Sequence, residues 1–203
     1  MNNLTAKASY VLAGSVLIAM LALLITNALT SKRISQSQQQ FKSQSLMEVL
    51  PAGPFDYSPL EKSHFIESKA LSPNSPVEVF PVYKNGLPLA AALTLIAPDG
   101  YNGSIKILLG VSVDGTIIAS RVLDHKETPG LGDDIELRKS TWINSFSSTS
   151  LETLPDSQWN IKKEGGQFDG FTGATITPRA VVKAIHRALV WYESNSKQVF
   201  IQT

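Results

Sequence analysis

The chain has 203 residues and contains no cysteine. The absence of thiols excludes disulfides, Cys-ligated iron–sulfur clusters, a Cys-x-x-Cys redox pair, c-type haem attachment and a thiolate zinc site. The chain also has little net charge, because its 18 basic and 17 acidic residues leave only +1. No strong field therefore attracts nucleic acid, and electrons, if the protein carries any, need an organic cofactor.

Several functional signatures are missing as well. The three histidines, His64, His125 and His186, have no ligand-like spacing, so we expect no metal site. The sequence contains no G-x-S-x-G motif, no P-loop and no G-x-G-x-x-G fingerprint. We therefore assign no catalytic residue, and we expect a chain that is not an enzyme when alone.

One long apolar run lies near the N-terminus. Residues 10–29 read YVLAGSVLIAMLALLITNAL, which is 20 residues without a charge. A helix of that length spans the hydrocarbon core of a bilayer, which is roughly 30 Å thick. The run is longer than the apolar region of a cleaved signal peptide and has a poor cleavage site, so it predicts an uncleaved transmembrane anchor. Lys7 on one flank roughly balances Lys32 and Arg33 on the other, so the charges leave the orientation open.

The anchor divides the chain into four predicted segments. These are a short tail at residues 1–9, the anchor at 10–29, a helical linker at 30–50 and one folded domain at 51–203. Apolar residues recur at roughly helical spacing in the linker: Phe41, Leu46, Val49 and Leu50. We therefore expect a helix that leaves the membrane, docks on the domain at its far end and stops near Pro51.

Alternating apolar residues predict strands in the domain. The predicted strands are 77–82, 89–97, 104–113 and 116–123, with a short one at 159–163. Asn85-Gly86 and Asp114-Gly115 are turn pairs between apolar runs, which favours an antiparallel meander over βαβ units. The predicted helices are 142–146 and a last helix from Pro178 to about Asn195, with Thr177 as its N-cap. The fold class is therefore α+β, with a single N-terminal transmembrane helix followed by one domain of a mainly antiparallel sheet and packed helices.

The most informative stretch is DGFTGATITP, residues 169–178. Gly170 and Gly173 make a flexible loop that leads into the last helix, where free N–H groups and the helix dipole favour a phosphate. Gly173 also leaves room for a bulky group beside the hydroxyl of Thr175. The residues alone leave a plain alternative open, in which the glycines form a turn and the threonines make local hydrogen bonds.

This stretch resembles the flavinylation motif of FMN-binding domains, an Asp followed by [S/T]-G-A-T. Two more blocks agree in order, GYNGSIK at 100–106 and HKETPGLG at 125–132, which resemble that family's GYNG-x-I and H-x-E-T-P-G-L-G segments. The resemblance covers essentially the whole chain. The family includes the G subunit of the Rnf (or Rsx) electron transport complex and the C subunit of the Na⁺-translocating NADH:quinone reductase, and the compact size is more similar to the former.

The resemblance implies a covalent cofactor. FMN would be joined through its phosphate to Thr175 as a phosphoester, by a dedicated FMN transferase that uses FAD and Mg²⁺. Asp169 would serve recognition by the transferase, and the motif is completed by Thr172, Gly173 and Ala174. Thr172 stands where many relatives have Ser, which keeps the hydroxyl. A second loop would meet the isoalloxazine ring through backbone N–H groups and an apolar side chain; its residues are Glu127, Thr128, Gly130 and Leu131.

The resemblance also implies a function. The chain would be a subunit of an ion-translocating complex that moves electrons between NADH and ferredoxin-type carriers and couples this to Na⁺ or H⁺ transport. It would sit in the bacterial inner membrane as a single-pass protein with its domain on the periplasmic side. Its partners would be the bilayer, the FMN transferase and the complex's other membrane, iron–sulfur and flavin subunits, with no nucleic acid.

Two other classes of protein stay open at this point. One is a membrane-tethered interaction module without a cofactor, which would remain colourless beside the transferase. The other is a transferase or hydrolase with Thr175 as nucleophile. That reaction needs a general base beside the hydroxyl, and the nearby sequence offers only Asp169.

Overall fold

The computed structural model describes residues 2–200, with the side chains of residues 2–6 and 38 excepted. Residue 1 and residues 201–203, which the sequence assigns to the tail and to the domain, lie outside the described residues. The chain divides into two compact units, residues 1–42 and residues 43–203.

Helix α1 extends from Asn2 to Val49. Within residues 2–200 it is the one helix that is long and apolar enough to cross a bilayer, over Lys7–Val49. The window with the highest hydropathy has none of its residues buried. Its length and composition fit a membrane span, although signal sequences near an N-terminus share both properties.

Five strands form one antiparallel sheet in the order of the sequence. They are β1 (His64–Ile66), β2 (Val77–Lys84), β3 (Leu87–Gly100), β4 (Gly103–Ser112) and β5 (Ile117–Asp124). The predicted meander is confirmed, whereas the sequence did not indicate β1. Asn85 and Gly86 both have positive φ, 55° and 74°, as a two-residue turn of the hairpin type requires.

The main core lies on one face of this sheet. Helix α2 (Ile176–Val199) packs there, because its apolar stripe faces the alternating inward side chains of the strands. A 3-10 helix at Thr141–Phe146 adds Trp142 and Phe146 to the same core. This segment confirms the short helix predicted at 142–146.

The end of α1 covers the opposite face of the sheet. Leu46, Val49 and Leu50 are buried there in a second cluster with sheet residues such as Phe80 and Leu108. The backbones approach closely at Gly110 in β4, where an added Cβ would lie 1.8 Å from the carbonyl oxygen of Val49. The expectation of a helix that docks at its far end agrees with this packing, and α1 ends two residues before Pro51.

One predicted strand is wrong. Residues 159–163 form no strand: two 3-10 turns, Asp156–Gln158 and Lys162–Glu164, surround a single parallel bridge between Ile161 and Phe168. The apolar residues of this segment are explained by burial, since Trp159 and Ile161 lie in the main core. The indole N–H of Trp159 donates to the carbonyl oxygen of Leu154 at 3.1 Å.

The predicted start of the last helix is also wrong. Helix α2 begins at Ile176, so Thr177 lies inside its first turn and is not the N-cap. Pro178 is the third residue of the helix, a position whose N–H would have no partner within the helix. The sequence reasoning failed because the hydroxyl of Thr177 bonds to a distant residue and not to its own backbone.

Candidate cofactor-binding site

A cleft of about 380 Å³ lies where the first turn of α2, the loop after β5 and the turn between β3 and β4 meet. Its lining residues are Tyr101, Glu127, Thr128, Leu131, Gly132, Gly173, Ala174, Thr175, Ile176 and Thr177. The structure therefore brings together all three sequence blocks, 100–106, 125–132 and 169–178. The volume lies within the range of about 300–1,000 Å³ that is usual for cofactor sites.

Thr175 lies in the wall of this cleft, directly before α2. Its side chain makes no capping hydrogen bond, and no hydrogen bond of its hydroxyl is found within residues 2–200. Gly173 has a φ of +82°, and an added Cβ would lie 3.5 Å from Cδ2 of Leu131. The glycine therefore supports both the turn into the helix and the open space between the two loops.

Three residues predicted for the site do not line the cleft: Asp169, Thr172 and Gly130. The exposed carboxylate of Asp169 pairs with the ammonium of Lys162 at 2.6 Å. Its backbone is held, because the indole N–H of Trp142 donates to its carbonyl oxygen at 2.8 Å. Asp169 thus presents a charged group at the surface, in the loop that leads to the cleft but outside the cleft wall.

The loop after β5 uses its own backbone N–H groups. The N–H of Gly130 donates to Oδ1 of Asp133 at 2.6 Å, and those of Leu131 and Gly132 donate to the carbonyl of Thr128 at 3.1 and 3.0 Å. The N–H groups of Gly130, Leu131 and Gly132 therefore already have acceptors within the loop. Leu131 does line the cleft, with its side chain 45 % exposed at the mouth.

Glu127 is the most constrained polar group of the cleft. It is only 4 % exposed, and its Oε1 accepts a hydrogen bond from the N–H of Asn102 at 3.0 Å. Its Oε2 accepts from the N–H of Tyr101 at 3.3 Å and from the hydroxyl of Thr177 in a short contact. One carboxylate thereby joins the β3–β4 turn to the first turn of α2.

Sequence reasoning missed Tyr101, Asn102 and Thr177 as members of the site. The GYNG block was a signal for the first two, but nothing in it shows that their N–H groups bind a carboxylate. Asn102 also donates from Nδ2 to the hydroxyl oxygen of Thr128 at 3.0 Å. The turn therefore contacts the loop after β5 at two points.

Neighbouring charges hold the loop in place. The N–H of Glu127 donates to Nδ1 of His125 at 3.0 Å, and Nε2 of that ring lies 2.9 Å from Glu136. The Arg138 guanidinium and then His125 hold the pKa of Glu136 below its usual range. Burial opposes ionisation of Asp133, but the N–H of Gly130 and the Lys139 ammonium outweigh it and leave the pKa of that carboxyl lowered.

The wall of the cleft contains no Lys or Arg. Two cations close to the motif in the sequence or in space are paired with carboxylates, Lys162 with Asp169 and Arg179 with Glu164. Positive potential in the cleft comes from the N-terminus of α2, whose first N–H groups have no partner within the helix. This arrangement suits a phosphate group of low charge better than a fully ionised one.

The cleft is poorly equipped for nucleophilic catalysis. Glu127, the one carboxylate of its wall, accepts hydrogen bonds from three donors. Asp169, the only base that the nearby sequence offers, lies outside the wall and pairs with Lys162. Both carboxylates therefore already have partners, whereas a general base for Thr175 needs a lone pair directed at its hydroxyl.

Comparison with known proteins adds the family. Residues 100–190 match the family model of the FMN-binding domain, a stretch that contains every lining residue of the cleft. The G subunit of the ion-translocating oxidoreductase complex from Shewanella baltica is 40% identical over 201 residues, covering 98% of this chain and 95% of that protein. The proteins of the same name from Pseudomonas aeruginosa and Aliivibrio fischeri are 42% and 41% identical, covering 84% and 95% of this chain and 80% and 92% of their own lengths.

A solved structure was also found. The crystal structure of NqrC from Shewanella oneidensis covers 69% of this chain and 67% of its own, at 23% identity and a TM-score of 0.46.

The antiparallel sheet, the last helix and the cleft between the three matched blocks define an FMN-binding domain. At about 40% identity over nearly the full length of its relatives, the chain belongs to the family formed by the G subunits of ion-translocating oxidoreductase complexes.

Proposed function

We propose that the cleft holds FMN as a covalent phosphoester on Thr175. The strongest support comes from the positions and the hydrogen bonds of the motif's three threonines. Thr172 lies outside the wall, and the hydroxyl of Thr177 donates to Glu127. Thr175 alone combines a place in the wall with a hydroxyl that has no hydrogen-bond partner in the described part of the chain.

The apolar residues of the cleft suit a planar aromatic cofactor. Three apolar side chains at its mouth are partly exposed, Tyr101 at 66 %, Leu131 at 45 % and Ile176 at 42 %. Exposed apolar groups around a concave site offer contact area to a ring system. The N-terminus of α2 offers unpaired N–H groups to a phosphate.

Charge favours a covalent over a free FMN. A phosphate monoester carries roughly −1.5 to −2 charges at neutral pH, and the cleft sets no cationic side chain against it, only Glu127. On esterification the Thr175 oxygen bonds to the flavin-side phosphorus of FAD, the pyrophosphate bond breaks, AMP leaves and the hydroxyl proton is lost. The resulting diester keeps a single negative charge, which the helix dipole partly offsets.

The domain would act in electron transfer at a membrane. Bound FMN supplies a centre that takes up and releases electrons, which a chain without cysteine cannot do through thiols or Cys-ligated clusters. An open cleft lets a partner reach the cofactor, while the covalent bond prevents its loss to water. The chain's own residues would bind and orient it.

The wider assignment follows the family. The relatives are named as subunits of an ion-translocating oxidoreductase complex, and α1 is long enough to anchor the chain in a membrane. We propose a single-pass inner-membrane subunit with a periplasmic domain, matured by an FMN transferase and in contact with the other subunits of the complex. Electron transfer through it would be coupled to ion translocation by the whole complex.

Intact-mass spectrometry tests the proposal. The full chain is coexpressed with an FMN transferase, extracted in detergent, denatured and weighed beside Thr175→Ala and the matched control Thr172→Ala. We expect the mass of FMN less one water on the wild type and on Thr172→Ala, and no addition on Thr175→Ala. An unmodified wild type would refute covalent FMN and favour a membrane-tethered interaction module. An adduct that survives in Thr175→Ala would refute Thr175 as the attachment residue.

A further inference from the structure

Glu127 has a geometry that the attachment of FMN does not by itself require. Its carboxylate is buried, yet it is part of the cleft wall and accepts from three donors. Two of them are backbone N–H groups of the β3–β4 turn, at Tyr101 and Asn102. The third is the hydroxyl of Thr177, two residues after the proposed attachment residue.

The surroundings of this carboxylate leave little freedom. An added Cβ on Gly132 would lie 2.9 Å from the hydroxyl oxygen of Thr177 and 3.1 Å from Oε2 of Glu127. An added Cβ on Gly100 would lie 3.0 Å from Oε1 of Glu127. Small residues thus surround the carboxylate on two sides, and its hydrogen bonds set the distance between two elements of the cleft.

Only a carboxylate satisfies these three donors. Both of its oxygens accept, whereas a glutamine of the same shape offers one accepting oxygen and one NH₂ group. In Glu127→Gln the NH₂ group would face either the N–H of Asn102 or the pair formed by Tyr101 and Thr177. The Thr177 hydroxyl can turn and accept, but in either orientation one backbone N–H, of Asn102 or of Tyr101, faces a donor. A buried donor left unpaired is costly, so the link is weakened.

We propose that Glu127 is a positioning residue for flavin attachment, which it controls through Thr177. It holds the Thr177 hydroxyl in a hydrogen bond and fixes the first turn of α2 against the β3–β4 turn, so that Thr175 is presented to the transferase in one orientation. This role rests on the proposed covalent FMN at Thr175. It differs from the ring contact that the family resemblance implies for Glu127.

The test measures attachment on the full-length apo chain in detergent, with purified transferase, FAD and Mg²⁺. We expect kcat to fall at least about tenfold in Glu127→Gln, since small misplacements of a reacting group have effects of this size or larger. The KM for the apo chain should change little, because the exposed carboxylate of Asp169 remains available for docking. Glu152→Gln, at an exposed carboxylate, is the matched control and should behave as the wild type.

Thr177 provides a double-mutant cycle. Thr177→Val should lower kcat, whereas Thr177→Ser keeps the hydroxyl and should restore it. The double variant Glu127→Gln/Thr177→Val should be no slower than Glu127→Gln alone, since the two residues act as one unit.

Amide hydrogen exchange offers a second measurement. The amides of Tyr101 and Asn102 should exchange faster in Glu127→Gln, in apo protein as well. Thr177→Val keeps the carboxylate and its two backbone donors, so it tests the same link if Glu127→Gln does not fold.

The outcomes separate this inference from the proposed function. A wild-type chain that accepts no FMN would overturn the proposed function and the positioning role with it. A wild type that is labelled, beside a folded Glu127→Gln or Thr177→Val with unchanged kcat, would overturn the positioning role alone. Additive losses in the cycle would also overturn it, because they would show that Glu127 does not act through Thr177.

Discussion

The last turn of α1 and the residue that follows it should be needed for the domain to fold. Leu46, Val49 and Leu50 are 2 %, 0 % and 4 % exposed, and they cover the sheet face that does not meet α2. A chain that starts at residue 51, the domain boundary suggested by the sequence, lacks all three. It would also expose to water the apolar residues that they cover, such as Phe80 and Leu108.

The size of the effect follows from the buried side chains. Full burial of a Val or Leu side chain contributes about 1.5–3 kcal/mol, so the three together contribute roughly 5–9 kcal/mol as an upper value. Domains of this kind are stable by about 5–15 kcal/mol in total. The ion pair between Glu48 and Arg121, at 2.7 Å, adds little because it is partly open to solvent, with the Glu48 side chain 36% exposed. A chain of residues 51–203 should therefore be unfolded or close to it.

Thermal and urea unfolding followed by circular dichroism check this. Residues 43–203 should unfold cooperatively, whereas residues 51–203 should show no transition or a midpoint far lower. Within the longer chain, Val49→Ala should be destabilising and Met47→Ala, at an exposed position, should not. Gly110→Ala should destabilise as well, beside the matched control Gly170→Ala, whose added Cβ meets nothing closer than 3.9 Å. Equal midpoints for the two chain lengths would refute the reasoning.

Two further predictions concern charged groups. Asp169→Ala should abolish or strongly slow FMN attachment, measured as adduct mass over time, while Lys162→Ala should leave attachment intact. Full attachment in Asp169→Ala would show that the transferase does not recognise Asp169. The lowered pKa values of Asp133 and Glu136 mean that these carboxylates stabilise the fold above the ordinary carboxyl pKa of about 4, and this contribution is lost as the pH falls through their folded values. Melting temperatures should thus be flat from pH 7 to about 5 and fall below about 4. The fall should be shallower in Glu136→Gln. If the melting temperature of this variant fell in parallel with that of the wild type, the ionised Glu136 carboxylate would not contribute to stability.

Local patterns predicted most of the sheet. Asn85-Gly86 and Asp114-Gly115 identified two hairpins, because Asn and Gly readily adopt the positive φ that Asn85, Gly86 and Gly115 have here. Strand β1 was missed because three residues, His64–Ile66, are too few to show alternation. The segment at 159–163 was misassigned because apolar residues buried by tertiary packing show the same composition as a strand.

The residues of the site were predicted mainly from the resemblance to a known family, and only partly from the physical properties of the sequence itself. The motif singled out Thr175, Gly173 and Ala174, and the fold places all three in the cleft wall. The link between Glu127 and Thr177 could not be predicted, since these residues are 50 positions apart. A threonine before a proline has the sequence signature of a cap, and only the fold shows that its hydroxyl has a different partner.

The β3–β4 hairpin connects the last turn of α1 to the cleft. Its middle, at Leu108 and Gly110, packs against that turn, while its tip, at Tyr101 and Asn102, holds the carboxylate of the cleft. Both contacts belong to one pair of strands, which are paired from Ala90–Ser112 to Ala97–Ile105 and again at Gly100–Gly103 near the tip, with an irregularity between the two stretches. The place of Thr175 relative to residues 43–49 is therefore determined by a sheet and two packed helices. A cofactor attached there would keep a defined position relative to the end of α1, which a flexible linker in the place of these contacts would not provide.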